Sequence, residues 1–446
     1  MAQTLLDVFY SLCNCIYCFP GTPQLKINNR SFRMLRLLGE GGFSYVYLVQ
    51  DTSDSSLYAL KKIRCPFGQE SVSQALKEVE AYTLFAPHPN VIRSIDHAVQ
   101  NDSSTKVSGI GTEAGSGSSA SKTVYILLPY YRRGNLQDMI NANLVNHTRF
   151  GERRLMQLML GVCKALKAMH QYHVRNTPSR SAARAIRDEA ASQDQDAAAR
   201  QKKMQQKQRS MTADQTHQAE LAGEQEQPLM PEDEVTRAQE GKQPGEIRAY
   251  AHRDIKPGNI MIDDDGRTPI LMDLGSLAPS PTPITSRSMA IAVQDTAAEH
   301  STMPYRAPEL FDVKTGSVID TKVDIWSLGC TMYACLVGKS PFEARSDETG
   351  GSLSICVLSG DWRWPGEGSA AKGKDKVAQT QGNHAAGAQS ERIYPHPAVR
   401  EVVRRCLQVE PAERPDVDEL MTMIDTCLSE LPEDDEAEGV IDDHGP

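Results

Sequence analysis

The stretch AHRDIKPGNIMI (251–262) brings three groups close enough in sequence to act together. Asp254 can take a proton from a hydroxyl. Lys256, two residues on, can neutralise a phosphoryl group in transfer. Asn259 offers an amide oxygen to a divalent metal ion. Beyond it, LMDLGS brings Asp273 as a second oxygen ligand. Upstream, YALKKI (58–63) puts Lys61 where it can reach phosphate, and Ala59 leaves room for a flat ring. Glu78, in the predicted helix SVSQALKEVEAYTLF, reads functionally as the partner that holds Lys61 in place and plainly as a surface charge on a helix. LLGEGGFSYVYLV (37–49) gives Gly39-x-Gly41-x-x-Ser44-x-Val46, with Ser44 where a third glycine is usual. Such glycines let backbone amides approach phosphate oxygens. Alone, a glycine-rich hairpin or a strand lysine says little. The set in order describes phosphoryl transfer, which needs positioning and charge neutralisation more than covalent help.

Elements must hold these groups. Residues 32–63 alternate apolar and polar around two turn signals, which predicts a hairpin-rich sheet. Residues 72–85 and 152–170 carry apolar residues at helical spacing. In the second helix Leu155, Leu158, Met159, Val162, Leu166 and Met169 form one stripe, read as a core face. From about residue 304 the pattern is mostly helical. A β-rich part followed by a helical part predicts an α+β fold of two lobes.

The chain has 446 residues, a net charge of -10, 39% hydrophobic and 6% aromatic residues. That dilution suggests a folded domain interrupted by polar inserts. The negative balance argues against wholesale nucleic-acid binding. Residues 101–122 are rich in glycine and serine. Residues 174–249 hold many Gln, Ala, Glu and Lys and, before Tyr250, no aromatic residue; 366–391 are similar. These read as inserts, and 431–446 as an acidic tail. The domain reading is therefore an N-terminal segment 1–30, a domain 31–430 and the tail. No apolar run reaches the length of a membrane span, and no basic region precedes the first apolar run as in a secretory signal. Ten scattered cysteines suggest a reducing compartment.

With MPYRAPEL, VDIWSLGC and ERPDVDEL following in order, the chain resembles the eukaryotic protein kinases. That resemblance covers about residues 30–430. It implies that Leu38, Gly39, Glu40, Gly41, Gly42, Phe43, Ser44, Tyr45 and Val46 cover ATP. It implies that Lys61 contacts the phosphates and pairs with Glu78. Ala59 and Tyr130 would border adenine, with Leu128 as gatekeeper and Pro129-Tyr130-Tyr131 as hinge. Asp254 would be the catalytic base with Lys256 beside it, and Asn259 and Asp273 would hold Mg²⁺. Glu309 would pair with Arg414, and Asp324 would brace the catalytic loop. Lys256 and Thr302 match the Ser/Thr class, so protein substrates are the expected acceptors. Arg253, before Asp254, is consistent with control by phosphorylation near Ser301, Thr302 and Tyr305. A pseudokinase scaffold is one alternative, disfavoured because every chemical group is present; a soluble kinase without a lipid anchor is the other.

Finer features, LGEGGFSYVYLV, LMDLGS with Leu274 in place of the usual Phe, and STMPYRAPELFDV, resemble the Numb-associated kinases. Within them the similarity is to a lipid-anchored branch with fungal members on the vacuolar membrane and animal members on the Golgi. That branch implies an extra helix in the segment AVQDTAAEHSTMPYRAPE. It also bears on SLCNCIYCFP (11–20), where Cys13, Cys15 and Cys18 cluster among apolar residues. A zinc site lacks a nearby fourth ligand. Burial as core thiols is a second reading. The third is S-acylation, which would place the chain on the cytosolic face of an endomembrane, vacuolar or Golgi by resemblance. Met1-Ala2 offers no glycine for myristoylation, so two or more palmitates would have to supply the anchor.

Overall fold

The computed structural model describes residues 24–41, 44–66, 69–101, 122–173, 247–365, 367 and 395–433. Cys13, Cys15, Cys18, Gly42, Phe43 and most of the expected inserts and tail lie outside the described residues. By its contacts the chain divides into Met1–Tyr172 with Ala249–Pro446, and His173–Arg248 as a second unit. Of that second unit only His173, Ile247 and Arg248 are described.

The first lobe is a six-stranded antiparallel sheet. Its strands are β1 (Gln24–Ile27), β2 (Arg30–Glu40), β3 (Ser44–Asp51), β4 (Leu57–Cys65), β5 (Asp96–Asn101) and β6 (Lys122–Pro129), in the order β1-β2-β3-β4-β6-β5. The sheet curls until its edges meet through side chains. Asn28 Nδ2 donates to Asp96 Oδ1 at 2.9 Å, and Gln100 Nε2 donates to the Lys26 carbonyl at 2.8 Å. Inside this curl sit Ile27, Phe32, Val49, Leu60 and Leu127, all fully buried. Period-2 alternation sorts them from their polar neighbours. Helix α1 (Gln69–Leu84) packs against β4 and β6.

The second lobe is helical. Its helices are α2 (Leu136–Asn146), α3 (Glu152–His170), α4 (Arg287–His300), α5 (Lys322–Val337), α6 (Pro341–Thr349), α7 (Leu353–Ser359), α8 (Pro397–Cys406) and α9 (Val417–Glu430). All six residues of the predicted stripe on α3 are buried. α5 is buried from Val323 to Cys335, as a helix apolar all round must be. α8 lies so close to α5 that a Cβ on Gly329 would come within 2.7 Å of Cys406 Cβ. Asn135 starts α2 with a capping box: its side chain accepts from Asp138 N while the Asp138 carboxylate accepts from Asn135 N. The expected α+β arrangement of two lobes is what the chain adopts.

Short strands flank the loop that carries Asp254. Tyr172–His173 (β7), Ile247–Ala251 (β8) and Ala278–Ser280 (β11) form a sheet in the order β11-β8-β7. Ile260–Ile262 (β9) pairs with Pro269–Leu271 (β10). Ile247, Arg248 and Ala249, read from sequence as the end of the insert, therefore belong to a strand, with Ala249 opposite Ser280. Likewise Asn101 and Lys122 close β5 and β6 as register partners, so the intervening insert is shorter than 101–122. These residues were missed because short polar strands carry little alternation to detect.

Candidate active site

Lys61 leaves the middle of β4, where Lys61 is paired with Val46 on one side and Ile126 on the other. Its Nζ donates to Glu78 Oε1 at 2.6 Å and to Asp273 Oδ1 at 3.2 Å. Glu78 is 8% exposed and also accepts from the Tyr82 hydroxyl, one helical turn on, at 2.7 Å. Burial on its own would lower the Lys61 pKa. The charges of Asp273 and then Glu78 outweigh it, and the pKa is raised. Asp273 shows the mirror image: burial would raise its carboxyl, but Lys61 holds it below the usual range. Asp273 is crowded on the Lys61 side while 42% of its side chain stays open.

Asp254 lies at the centre of a second cluster. Its Oδ2 accepts from Lys256 Nζ at 2.7 Å and from Asn259 Nδ2 at 3.0 Å. Its Oδ1 accepts from the Thr302 amide at 2.9 Å and the Thr302 hydroxyl at 2.7 Å. Lys256 Nζ also donates to Thr302 Oγ1 at 2.6 Å. The resemblance had placed Thr302 by class alone; here it is a direct partner of both Asp254 and Lys256. No sequence spacing links residues so far apart, so contact could not be read from the chain.

The loop bearing Asp254 is held by one buried carboxylate at the start of α5. Asp324 is fully buried. Its Oδ2 accepts from His252 N at 2.8 Å and its Oδ1 from Arg253 N at 2.7 Å, and His170 Nε2 lies 2.9 Å from Oδ2. Burial would raise this carboxyl, but the His170 hydrogen bond and charge and the loop amides keep its pKa low. Arg253 and Asp273 both adopt left-handed backbone, with φ 69° and 59°. Such residues cost about 1–3 kcal/mol each and persist where surroundings fix them. Here the fixing contacts are Asp324 on Arg253 N and Lys61 on the Asp273 carboxylate.

A divalent ion fits the oxygens present. Asn259 spends its Nδ2 on Asp254, which leaves Oδ1 outside those bonds. The open part of Asp273 supplies the second oxygen. Among the described residues no group of three His, Cys, Asp or Glu could hold a metal by itself. That suits Mg²⁺, which is commonly held by one or two protein oxygens plus substrate phosphates and water. Over the cleft, Gly41 N donates to Ser44 O at 2.7 Å, and a Cβ on Gly41 would meet the Ser44 hydroxyl at 3.0 Å. Ala59 pairs with Leu128, and Tyr58 pairs with Pro129, the residue before Tyr130. Leu128 is buried. Burial, with Asp263 nearby, pushes the Tyr131 hydroxyl up to about 12.

Farther off, Arg414 makes a bidentate pair with Glu309 at 2.7 and 2.8 Å. α4 is a helix in the segment where the resemblance implied one. Tyr82, His170 and Ser276, which donates to the His252 carbonyl at 2.6 Å, were not singled out as site residues in the sequence. Tyr82 alone carries a local signal, its i+4 spacing from Glu78.

Comparison with known proteins follows the same lines. Residues 32–176 and 248–424 match the protein kinase domain family. The chain is 32% identical over 434 residues to serine/threonine-protein kinase ENV7 of Saccharomyces cerevisiae, covering 95% of this chain and 99% of that protein. It is 31% identical over 405 residues to serine/threonine-protein kinase ppk13 of Schizosaccharomyces pombe, covering 91% and 92%. Against human serine/threonine-protein kinase 16 it is 27% identical over 423 residues, covering 95% and 97%.

Proposed function

The chain belongs to the protein kinase family and is a serine/threonine-protein kinase, and from that premise we propose that it transfers the γ-phosphoryl of ATP to protein hydroxyls at a membrane surface, its own chain included. The observation that carries the chemistry is the convergence of Lys61, Glu78 and Asp273 beside Asp254, Lys256, Asn259 and Thr302. Asp254 orients the acceptor hydroxyl and takes its proton. Lys256 neutralises charge on the group in flight. Glu78 and Asp273 hold Lys61 charged and aimed at the phosphates. Thr302, just beyond α4, fixes Asp254 through its amide and its hydroxyl. Mg²⁺, held by Asn259 and Asp273, would supply neutralisation of the phosphate oxygens. Leu38 to Gly41, Ser44 to Val46, Ala59, Leu128 and Tyr130 border the nucleotide.

The membrane part rests on Cys13, Cys15 and Cys18 as acylation sites and on the similarity to the lipid-anchored branch. No described helix is long and apolar enough to cross a bilayer. The expected location is the cytosolic face of an endomembrane.

The chemical test is label transfer from γ-labelled ATP by wild type and Asp254→Asn. Wild type should label itself and the variant should not; equal incorporation would remove the enzymatic reading and leave a scaffold. The membrane test is fractionation of cells expressing wild type or Cys13/Cys15/Cys18→Ser, with and without hydroxylamine. Release of wild type by hydroxylamine supports acylation, and a soluble wild type withdraws it.

A further inference from the structure

β1 and β2 form a hairpin whose two faces differ sharply. Leu25, Ile27, Phe32 and Met34 pack inward on the small core of the first lobe. Alternation sends Lys26 and Arg33 outward. A bulge between Met34 and Arg36 then places Arg36 opposite Leu48 rather than Tyr47, which returns it to the same outer face. Lys26, Arg33 and Arg36 are all exposed, and Leu35 beside them is 40% exposed. Their register partners are Ser31 for Lys26, Gln24 and Gln50 for Arg33, and Leu48 for Arg36, none of them acidic. Among the described residues, the one side-chain bond of these three cations runs from Arg36 to the neutral Tyr130 hydroxyl at 3.4 Å. Arg30, the fourth cation of the hairpin, is already paired with Asp51 at 2.7 Å. No acidic residue occurs between Gln24 and Gly39, in a chain whose net charge is -10.

We infer that this outer face of the first hairpin, carrying Lys26, Arg33 and Arg36, is a docking surface for an anionic lipid bilayer. The inference rests on the reading of the chain as a membrane-face kinase and says which side meets the membrane. Charge complementarity selects the occupant: an anionic surface repels the acidic bulk of the chain and attracts this strip. Position agrees, because Gln24 lies six residues after Cys18, at most about 20 Å of extended chain. An acyl chain on Cys18 would therefore hold the hairpin near the headgroups. A single acyl chain anchors weakly, and a basic patch is the usual second contribution. Lysine on an edge strand can also serve to block strand pairing. Here that need is already met, since the Gln100 and Asn28 side chains join the β1 and β5 edges.

The test uses the full chain made in bacteria, where it is not acylated, sedimented with phosphatidylcholine vesicles with and without phosphatidylserine. Wild type should bind only the phosphatidylserine vesicles, and high salt should release it. Lys26→Gln/Arg33→Gln/Arg36→Gln should melt like wild type and bind about 100-fold more weakly, from the usual contribution of about 1 kcal/mol per cation. Binding that ignores phosphatidylserine, or that survives in the triple variant, overturns the inference. The hydroxylamine experiment reads the anchor separately. Loss of acylation with retained phosphatidylserine binding removes the anchor alone, and the reverse pattern removes the hairpin surface alone.

Discussion

Lys61 meets Glu78 and Asp273 between the lobes, whereas Arg414 meets Glu309 inside the helical lobe, and the two contacts differ in what they leave free. Arg414 has five N–H donors. Two go to Glu309, and the others reach the carbonyls of Gln408, Lys322 and Val409 at 2.8–3.0 Å. The side chain is fully buried, and its guanidinium lies over Trp326 at 5.0 Å. Nothing is left for a ligand. Lys61 has three donors and uses two, on Glu78 and Asp273. Asp273 in turn keeps an open side. A fully satisfied ion pair fixes architecture; one with a spare donor and an open carboxylate can work on a substrate.

Three changes sharpen that contrast, from the largest effect down. Arg414→Ala should destabilise the fold by about 3–5 kcal/mol, because Glu309 and three carbonyls lose their partner. Urea unfolding should show it directly. A folded, normally stable variant would mean that the buried pair is dispensable.

Asp324→Asn should cost about 2–3 kcal/mol at neutral pH, by weakening charge-assisted bonds to the His252 and Arg253 amides. Its native pKa is lowered, so its contribution is fully present above the unfolded value, near pH 4, and disappears as pH falls through the native value. The stability gap between wild type and variant should therefore narrow with acidification below about pH 4. A gap constant with pH would contradict the ionised brace.

Tyr82→Phe is the mildest. Losing one buried hydrogen bond to Glu78 costs about 1 kcal/mol, or roughly fivefold in transfer rate if Lys61 positioning suffers in full. A rate identical to wild type would show that Lys61 alone suffices to fix Glu78.

The same contrast explains what the sequence disclosed. Lys61, Glu78, Asp254, Asn259 and Asp273 stood out because each lies in a contiguous stretch whose residue types are unusual together. The two lobes followed from a change of period, and the α3 stripe from its helical spacing. Contacts between distant segments were hidden. Thr302 on Asp254 and His170 on Asp324 depend on the packing of loops and helices that no local pattern encodes. Closure of the first sheet was hidden too, since it hangs on Asn28 and Gln100, residues that read as ordinary turn and strand polars. The cysteine cluster stays a matter of sequence, because it lies outside the described residues.

The most direct test of the contrast is Lys61→Met, measured for both equilibrium unfolding and single-turnover transfer from γ-labelled ATP. Loss of one preorganised charge at the reacting phosphate should slow transfer by about 10²–10³-fold. The unfolding midpoint should stay close to wild type, because the spare-donor pair carries chemistry and little architecture. Wild-type transfer by this variant, or unfolding as severe as that of Arg414→Ala, would contradict the account.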